Sequence, residues 1–208
     1  MEQKSFKEEN RKFFDSWAKN YDNFIFSGWM KYVQRKLLAS LALNRNSSVL
    51  DIGCGTGYML LQLSKQVKKG KIVGVDISSQ MLKQARKKIR DVRNIQLLQA
   101  EAEKIPYPKN TFDYVVSADA FHHFPNPQKA LAEMRRVMKK AGKIIIADIS
   151  IPPHFMFNHL FKLHTGTVKL YSRKDMAELA QKVGLVMVQQ RRVGLFALVH
   201  TLKPKNGV

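Results

Sequence analysis

The chain has a single cysteine among 208 residues, Cys54, so no disulfide can form within it and a disulfide-stapled scaffold is excluded. No uninterrupted apolar run approaches the roughly 20 residues that a bilayer-crossing helix needs. Internal repeats and low-complexity linkers are missing too, which excludes solenoids and tethered modules. The polar start, MEQKSFKEENRK, reads as lacking a secretory signal, and the chain is expected to be cytoplasmic. Its length fits one domain with a sizeable core, expected to span 1–208.

Acidic residues are scarce. Sixteen Asp and Glu stand against 36 Lys and Arg, a formal net charge of +20. Such an excess favours nucleic acid or anionic lipid surfaces. The cations are spread over Lys65–Lys71, Lys83–Arg93, Arg135–Lys143 and Arg191–Arg192, mostly on polar faces of expected helices. That distribution reads as a solvated basic surface, with contact to an acidic partner as the alternative.

What the sequence does have is alternation. The first 45 residues read as helices, with Phe6, Phe13, Phe14, Trp17 and Tyr21 near helical spacing and a second helix from about Trp29 to Leu41. Strands are then expected at 48–52, 71–76, 95–100, 111–117 and 143–148, with helices after the first, second and fourth. This interval implies parallel β-α-β units. A helix at 173–183 precedes two strands, 185–193 and 195–202, which Gly194 turns into an antiparallel hairpin. The expected fold is α/β: a Rossmann-like, doubly wound, mostly parallel seven-stranded sheet with one antiparallel edge strand and N-terminal helices. Within it, 1–45 would cap the site, 46–150 would bind the cofactor, and 151–208 would hold a lid insertion and the hairpin.

The first strand runs into "DIGCGTGY", where Gly53, Gly55 and Gly57 permit a sharp turn and close approach of a ligand. A nicotinamide fingerprint needs glycine where Tyr58 stands, and the phosphate-loop pattern is absent. Asp51, just ahead of the turn, would repel a pyrophosphate and suits a cation. Asp76 ends the second strand, where an acid accepts ribose hydroxyls. S-adenosylmethionine has that ribose, an ammonium and a sulfonium.

Five segments in order, "FFDSWAKNYD", "VLDIGCGTG", "VGVDISSQML", "AEAEKIPYP" and "FDYVVSADAFHHFPNPQKALAEMRRVMKKAGKIIIAD", resemble the class I S-adenosylmethionine-dependent methyltransferases. Within them the chain is similar to the ubiquinone/menaquinone-biosynthesis type. The resemblance implies that Tyr21 packs near the cofactor and that Asp51, Gly53, Cys54 and Gly55 surround its methionine end. It further implies that Asp76 takes the ribose, that Ile77 and Met81 pack on the adenine, and that Glu101, with Ala102, meets the adenine amino group. Glu101 keeps the acceptor with one more methylene than the usual aspartate, and Ala100 replaces a usual glycine. "KKAG" at 139–142 replaces a usual K-P-G-G and is expected to be a changed turn.

Methyl transfer needs alignment and dryness more than a base. Candidate catalytic or cofactor-lining groups are Asp119, His122 and His123 in "SADAFHHF". His154, His159 and His164 point around a helix rather than along one face, so no metal site is expected. Their aromatic and methionine-rich company, "HFMFNHLFKLH", reads as core packing or as a lid over an apolar acceptor. The acceptor is expected to be a small molecule, a quinone precursor or a phospholipid amine, with a possible resting place on anionic membranes. Two alternatives stand beside this: an RNA methyltransferase, for which charge speaks but no N-P-P-Y-like motif exists, and a non-catalytic S-adenosylmethionine-binding regulator.

Overall fold

The computed structural model describes residues 2–23, 27–150 and 170–205. The sequence enters through helices α1 (Glu2–Trp17) and α2 (Ser27–Leu38), then alternates through β1 (Val49–Ile52), α3 (Tyr58–Gln66), β2 (Ile72–Asp76), α4 (Ser79–Lys88), β3 (Ile95–Gln99), β4 (Phe112–Ala118), α5 (Pro127–Val137) and β5 (Met138–Ile149). After 151–169, which carry the expected lid and its three histidines and lie outside the described residues, come α6 (Arg173–Lys182), β6 (Leu185–Val193) and β7 (Ala197–Pro204). One seven-stranded sheet runs β3-β2-β1-β4-β5-β7-β6. Five strands pair in parallel and the final hairpin closes one side, as the alternation implied. Within the hairpin, β7 is the antiparallel strand and pairs with β5, while β6 takes the outermost place. The exposed Gln189, Arg191 and Arg192 on β6 lend that edge polar, partly charged cover.

Parallel strands covered on both sides are largely apolar, and β1 is buried at all four residues, Asp51 included. Successive side chains alternate between faces. Leu50 and Ile52 pack with Leu131, Met134 and Met176 of α5 and α6. Val49 packs oppositely, with Leu37, Leu60, Leu63 and Leu82 of α2, α3 and α4. Ser78 caps α4, Asn126 caps α5 ahead of Pro127, and Ser172 with Asp175 forms a capping box on α6. At 139–142 the expected turn is a break in pairing inside β5: Phe112 pairs with Met138, and the next register is Tyr114 with Lys143.

The strand order reverses beside β1, whose chain leads to β2 and β3 on one side while β4 and β5 lie on the other. A crevice therefore opens where the carboxyl ends of β1 and β4 diverge. Two segments meet there, the glycine turn after β1 and residues 119–124 after β4.

Candidate active site

The glycine turn is held from β2. The Gly53 and Cys54 N–H groups donate to the Val75 carbonyl at 2.8 and 3.1 Å, and the Gly55 N–H donates to Asp76 Oδ2 at 2.8 Å. All three glycines have positive φ, but they serve different ends. A Cβ on Gly53 would stand 2.4 Å from the Ala120 Cβ, so this glycine lets the two site segments touch. A Cβ on Gly55 would meet nothing within 4 Å and would project into open space beside the crevice. The turn leads into α3, whose N-cap, Gly57, supplies no side-chain cap.

Three carboxylates surround the turn. Asp51 is 2% exposed, its Oδ2 has no hydrogen-bond partner, and burial together with the nearby Asp76 charge pushes it up to about 8. Asp76 is pushed up to about 6 by burial, against the opposing hydrogen bonds from the Ser78 and Gly55 N–H groups. Asp119 follows β4 directly with φ +54, a conformation that a non-glycine residue adopts only at a cost of about 1–2 kcal/mol. Both its oxygens are buried without a hydrogen bond, and burial and then the Asp148 charge push it well above the carboxylate range, the Gln34 amide acting in the opposite sense. The Tyr21 hydroxyl is pushed up by burial and by Asp119, Asp76 and Asp22, so it remains a neutral donor. Burial, Asp76 and Asp51 likewise raise the Cys54 thiol, which excludes a ready thiolate nucleophile here.

A cavity with about 720 Å³ of empty space, part of it open to solvent, connects these groups. Tyr21, Gly53, Gly55, Asp76, Ile77 and Met81 line one part; Glu101, Ala102, Asp119 and His123 line another. Cys54 lies outside it, on a second cavity of about 390 Å³ with Lys31, Gln34 and Tyr58. Asp51 borders neither, and His122 is set apart.

The paired histidines diverge. Asp148 at the end of β5 accepts from the His122 N–H at 2.8 Å and also bonds the His122 Nδ1, so His122 is locked beneath the loop. His123 lines the cavity, its ring edge-on to Phe14 at 4.9 Å, its Nδ1 buried and unpartnered. Burial and the neighbouring His122 push His123 well below its ordinary range, so its imidazole is neutral. Among the described residues no group of three or more His, Cys, Asp and Glu is placed to hold a metal.

Helix α1 supplies residues that sequence reasoning did not single out. Lys7 Nζ lies 2.7 Å from Glu101 Oε1, and Asn10 Nδ2 donates to the His123 carbonyl at 3.1 Å. Asp15 accepts from Ser78 Oγ at 2.6 Å, and Asp22 bonds Thr56 Oγ1 and Lys88 Nζ at 2.9 and 2.8 Å. The signal available in the sequence was a helix whose apolar face, Phe13, Phe14 and Trp17, exceeds what a free helix would carry. Asp148 was visible only as the last residue of a strand.

Comparison with known proteins gives a family to this geometry. A family model described as a methyltransferase domain matches residues 43–191, most of the chain. The chain belongs to the class I S-adenosylmethionine-dependent methyltransferases. This methyltransferase is 33% identical over 165 residues to a demethylmenaquinone methyltransferase of Staphylococcus carnosus, covering 77% of this chain and 68% of the relative. It is 27% identical to the structure of an S-adenosylmethionine-dependent methyltransferase from Aquifex aeolicus, covering 90% and 97% of the two chains with a TM-score of 0.75. A Haloferax volcanii methyltransferase, solved with a methyltransferase activator, shares the fold at a TM-score of 0.81, 19% identity and coverage of 92% and 97%. The methyltransferase's cofactor is S-adenosylmethionine, and the turn fits it. A buried, unpartnered Asp51 oxygen suits a cationic ligand, and Gly55 leaves the space where its backbone would be approached.

Proposed function

We propose that the methyltransferase acts on a flat, largely apolar acceptor of the quinone type, carrying an acidic hydroxyl, and that His123 receives its proton. S-adenosylmethionine supplies an activated methyl on a sulfonium. Asp76 holds the ribose with its free lone pairs, Ile77 and Met81 pack on the adenine, and Glu101 accepts from the adenine amino group. Asp51 and Tyr21 serve the methionine end, where a cation would draw Asp51 back to its charged form. His123, Phe14, Phe124 and Pro125 form the wall left for the acceptor. The acceptor's nucleophilic atom gains the methyl as the C–S bond breaks, and its hydroxyl proton passes to the neutral imidazole.

The observation that carries this reading is the neutral, cavity-lining His123 with its depressed basicity. A weak base removes only a proton that is already acidic, as on a phenol or hydroquinone. The apolar walls and the demethylmenaquinone methyltransferases among the relatives support the same class. The test is incubation with labelled S-adenosylmethionine and a panel of hydroxylated quinones, simple phenols, phospholipids and RNA. Label on a quinone or phenol is expected; label confined to RNA or phospholipid amine overturns the assignment.

A further inference from the structure

The charge of this chain is sorted by pole. Five parallel strands share one direction, so the described helices α3 to α6 begin near the site and run towards the opposite, amino pole. The last turns there are basic: Lys65 on α3, Arg86 and Lys87 on α4, Arg135 on α5 and Lys182 on α6, while Lys88 turns to Asp22 and Arg136 to Glu133. Helix dipoles favour cations at such ends, but they do not account for the loops beyond. Arg45, Lys68, Lys69, Lys71 and Arg93 are all exposed in these loops. The Arg45 carbonyl accepts from the Lys69 and Gly70 N–H groups, and Asn94 bonds both Val67 and Ile72, so the loops form one surface. It continues through Lys109, Lys140 and Lys143 at the starts of β4 and β5, next to Ser48, which bonds Asp113. The acids Asp91, Asp113 and Glu133 here are already engaged, by Arg90, Lys139 and Arg136. Asp51, Asp76, Glu101, Asp119 and Asp148 gather at the other pole.

We infer that the amino pole binds the phosphate backbone of nucleic acid, without reading sequence and without offering it for methylation. The chemistry needed is a broad set of unneutralised Lys and Arg on a surface that water can reach, and this pole provides it. Two observations separate this occupant from a lipid surface. The large exposed apolar side chains among the described residues, Tyr32, Val188 and Leu195, lie elsewhere, so nothing here inserts between acyl chains. The cavity opens at the far ends of the strands, so a membrane bound at this pole would face away from it. Strands of about five residues put roughly 17 Å of sheet between the two poles.

The experiment measures binding of the full chain to a fluorescent RNA duplex of about 20 base pairs as salt is raised. A triple charge reversal at the pole (Lys68→Glu, Lys69→Glu, Lys71→Glu) is compared with an equal reversal away from it (Lys83→Glu, Lys129→Glu, Lys174→Glu). The polar variant is expected to bind at least about tenfold more weakly, with a salt slope reduced by about 2–3, while the control loses less than about threefold. Both must retain S-adenosylmethionine affinity, which shows that neither has unfolded. Equal losses in the two variants would overturn the inference, as would absence of duplex binding at low salt. Tighter binding to phosphatidylserine vesicles than to the duplex, abolished by the same three reversals, would also overturn it in favour of a membrane.

Discussion

The Asp76 carboxylate accepts a hydrogen bond from the Gly55 N–H at 2.8 Å, tying the end of β2 to the turn that follows β1. The side chain proposed to hold the ribose thus also shapes the loop beside it. Asp76→Ala loses both roles, whereas Asp76→Asn keeps one carbonyl oxygen for one of them. Hydrogen bonds to charged groups contribute about 1.5–3 kcal/mol each. S-adenosylmethionine affinity measured by calorimetry should therefore fall about a hundredfold in the alanine variant and about tenfold in the asparagine variant. Unchanged affinity in Asp76→Ala would remove the ribose assignment.

Asp51 and Asp76 are expected to make cofactor binding depend on pH. Their folded-state values, about 8 and about 6, stand above the ordinary 3.8. Between those limits the folded chain holds protons that the unfolded chain has released, so stability without ligand falls as pH rises from about 4 towards 8. A cationic ligand reverses the preference at Asp51, so its affinity should climb over pH 6 to 8 with release of a proton. Calorimetry in two buffers of different ionisation enthalpy reads that proton directly. In Asp51→Asn the release at pH 7 to 8 should vanish and the affinity should become flat over that range, leaving only the Asp76 dependence near pH 6.

The two histidines separate by the kind of damage they cause. His122→Ala removes the ring contact of the buried Asp148 carboxylate, which keeps the N–H groups of residue 122 and Ile149, and a loss of about 1–3 kcal/mol is expected. Denaturant titration should show that loss. His123→Ala leaves no partner stranded and should cost about 1–2 kcal/mol of packing against Phe14. Its effect should fall on turnover instead, by about 10²–10⁴-fold with the accepted quinol, and shrink at high pH where the hydroxyl ionises unaided. Turnover of His123→Ala equal to that of the unaltered chain at every pH would exclude the base.

Alanine at the first two turn glycines should have opposite signatures. In Gly53→Ala the new methyl meets Ala120 at 2.4 Å on a backbone at φ +74, and a loss of about 2–3 kcal/mol in stability is expected. In Gly55→Ala, φ is +50 and the methyl meets nothing, so stability should fall by only about 1 kcal/mol. The methyl would instead occupy ligand space, so melting temperature separates the first variant and cofactor affinity the second.

Much of this fold was legible because its signals are local. Buried parallel strands are short and apolar, Gly194 marks a reversal, and Gly53 to Gly57 interrupt a strand–helix junction. The break at 139–142 was missed because its cause is tertiary, a register between β4 and β5. The cavity lining was legible where the sequence singles out acids at strand ends, at Asp76, Glu101 and Asp119. It was not legible where long-range pairing decides orientation. Adjacent histidines look alike in a sequence, and only Asp148, arriving from β5, turns one of them inward. Lys7 and Asn10 were hidden for the same reason, since a polar residue on a helix does not announce which loop it will meet.

Helix α1 contributes no strand to the sheet, yet Lys7, Asn10 and Asp15 each fasten it to a different segment of the cavity wall. Its docking and the completion of the pocket are then a single equilibrium. Observed cofactor affinity is the affinity of the finished pocket multiplied by the fraction of molecules in which α1 is in place. A substitution on the outer face of α1 that alters only its helix propensity would therefore shift cofactor affinity without touching any ligand atom.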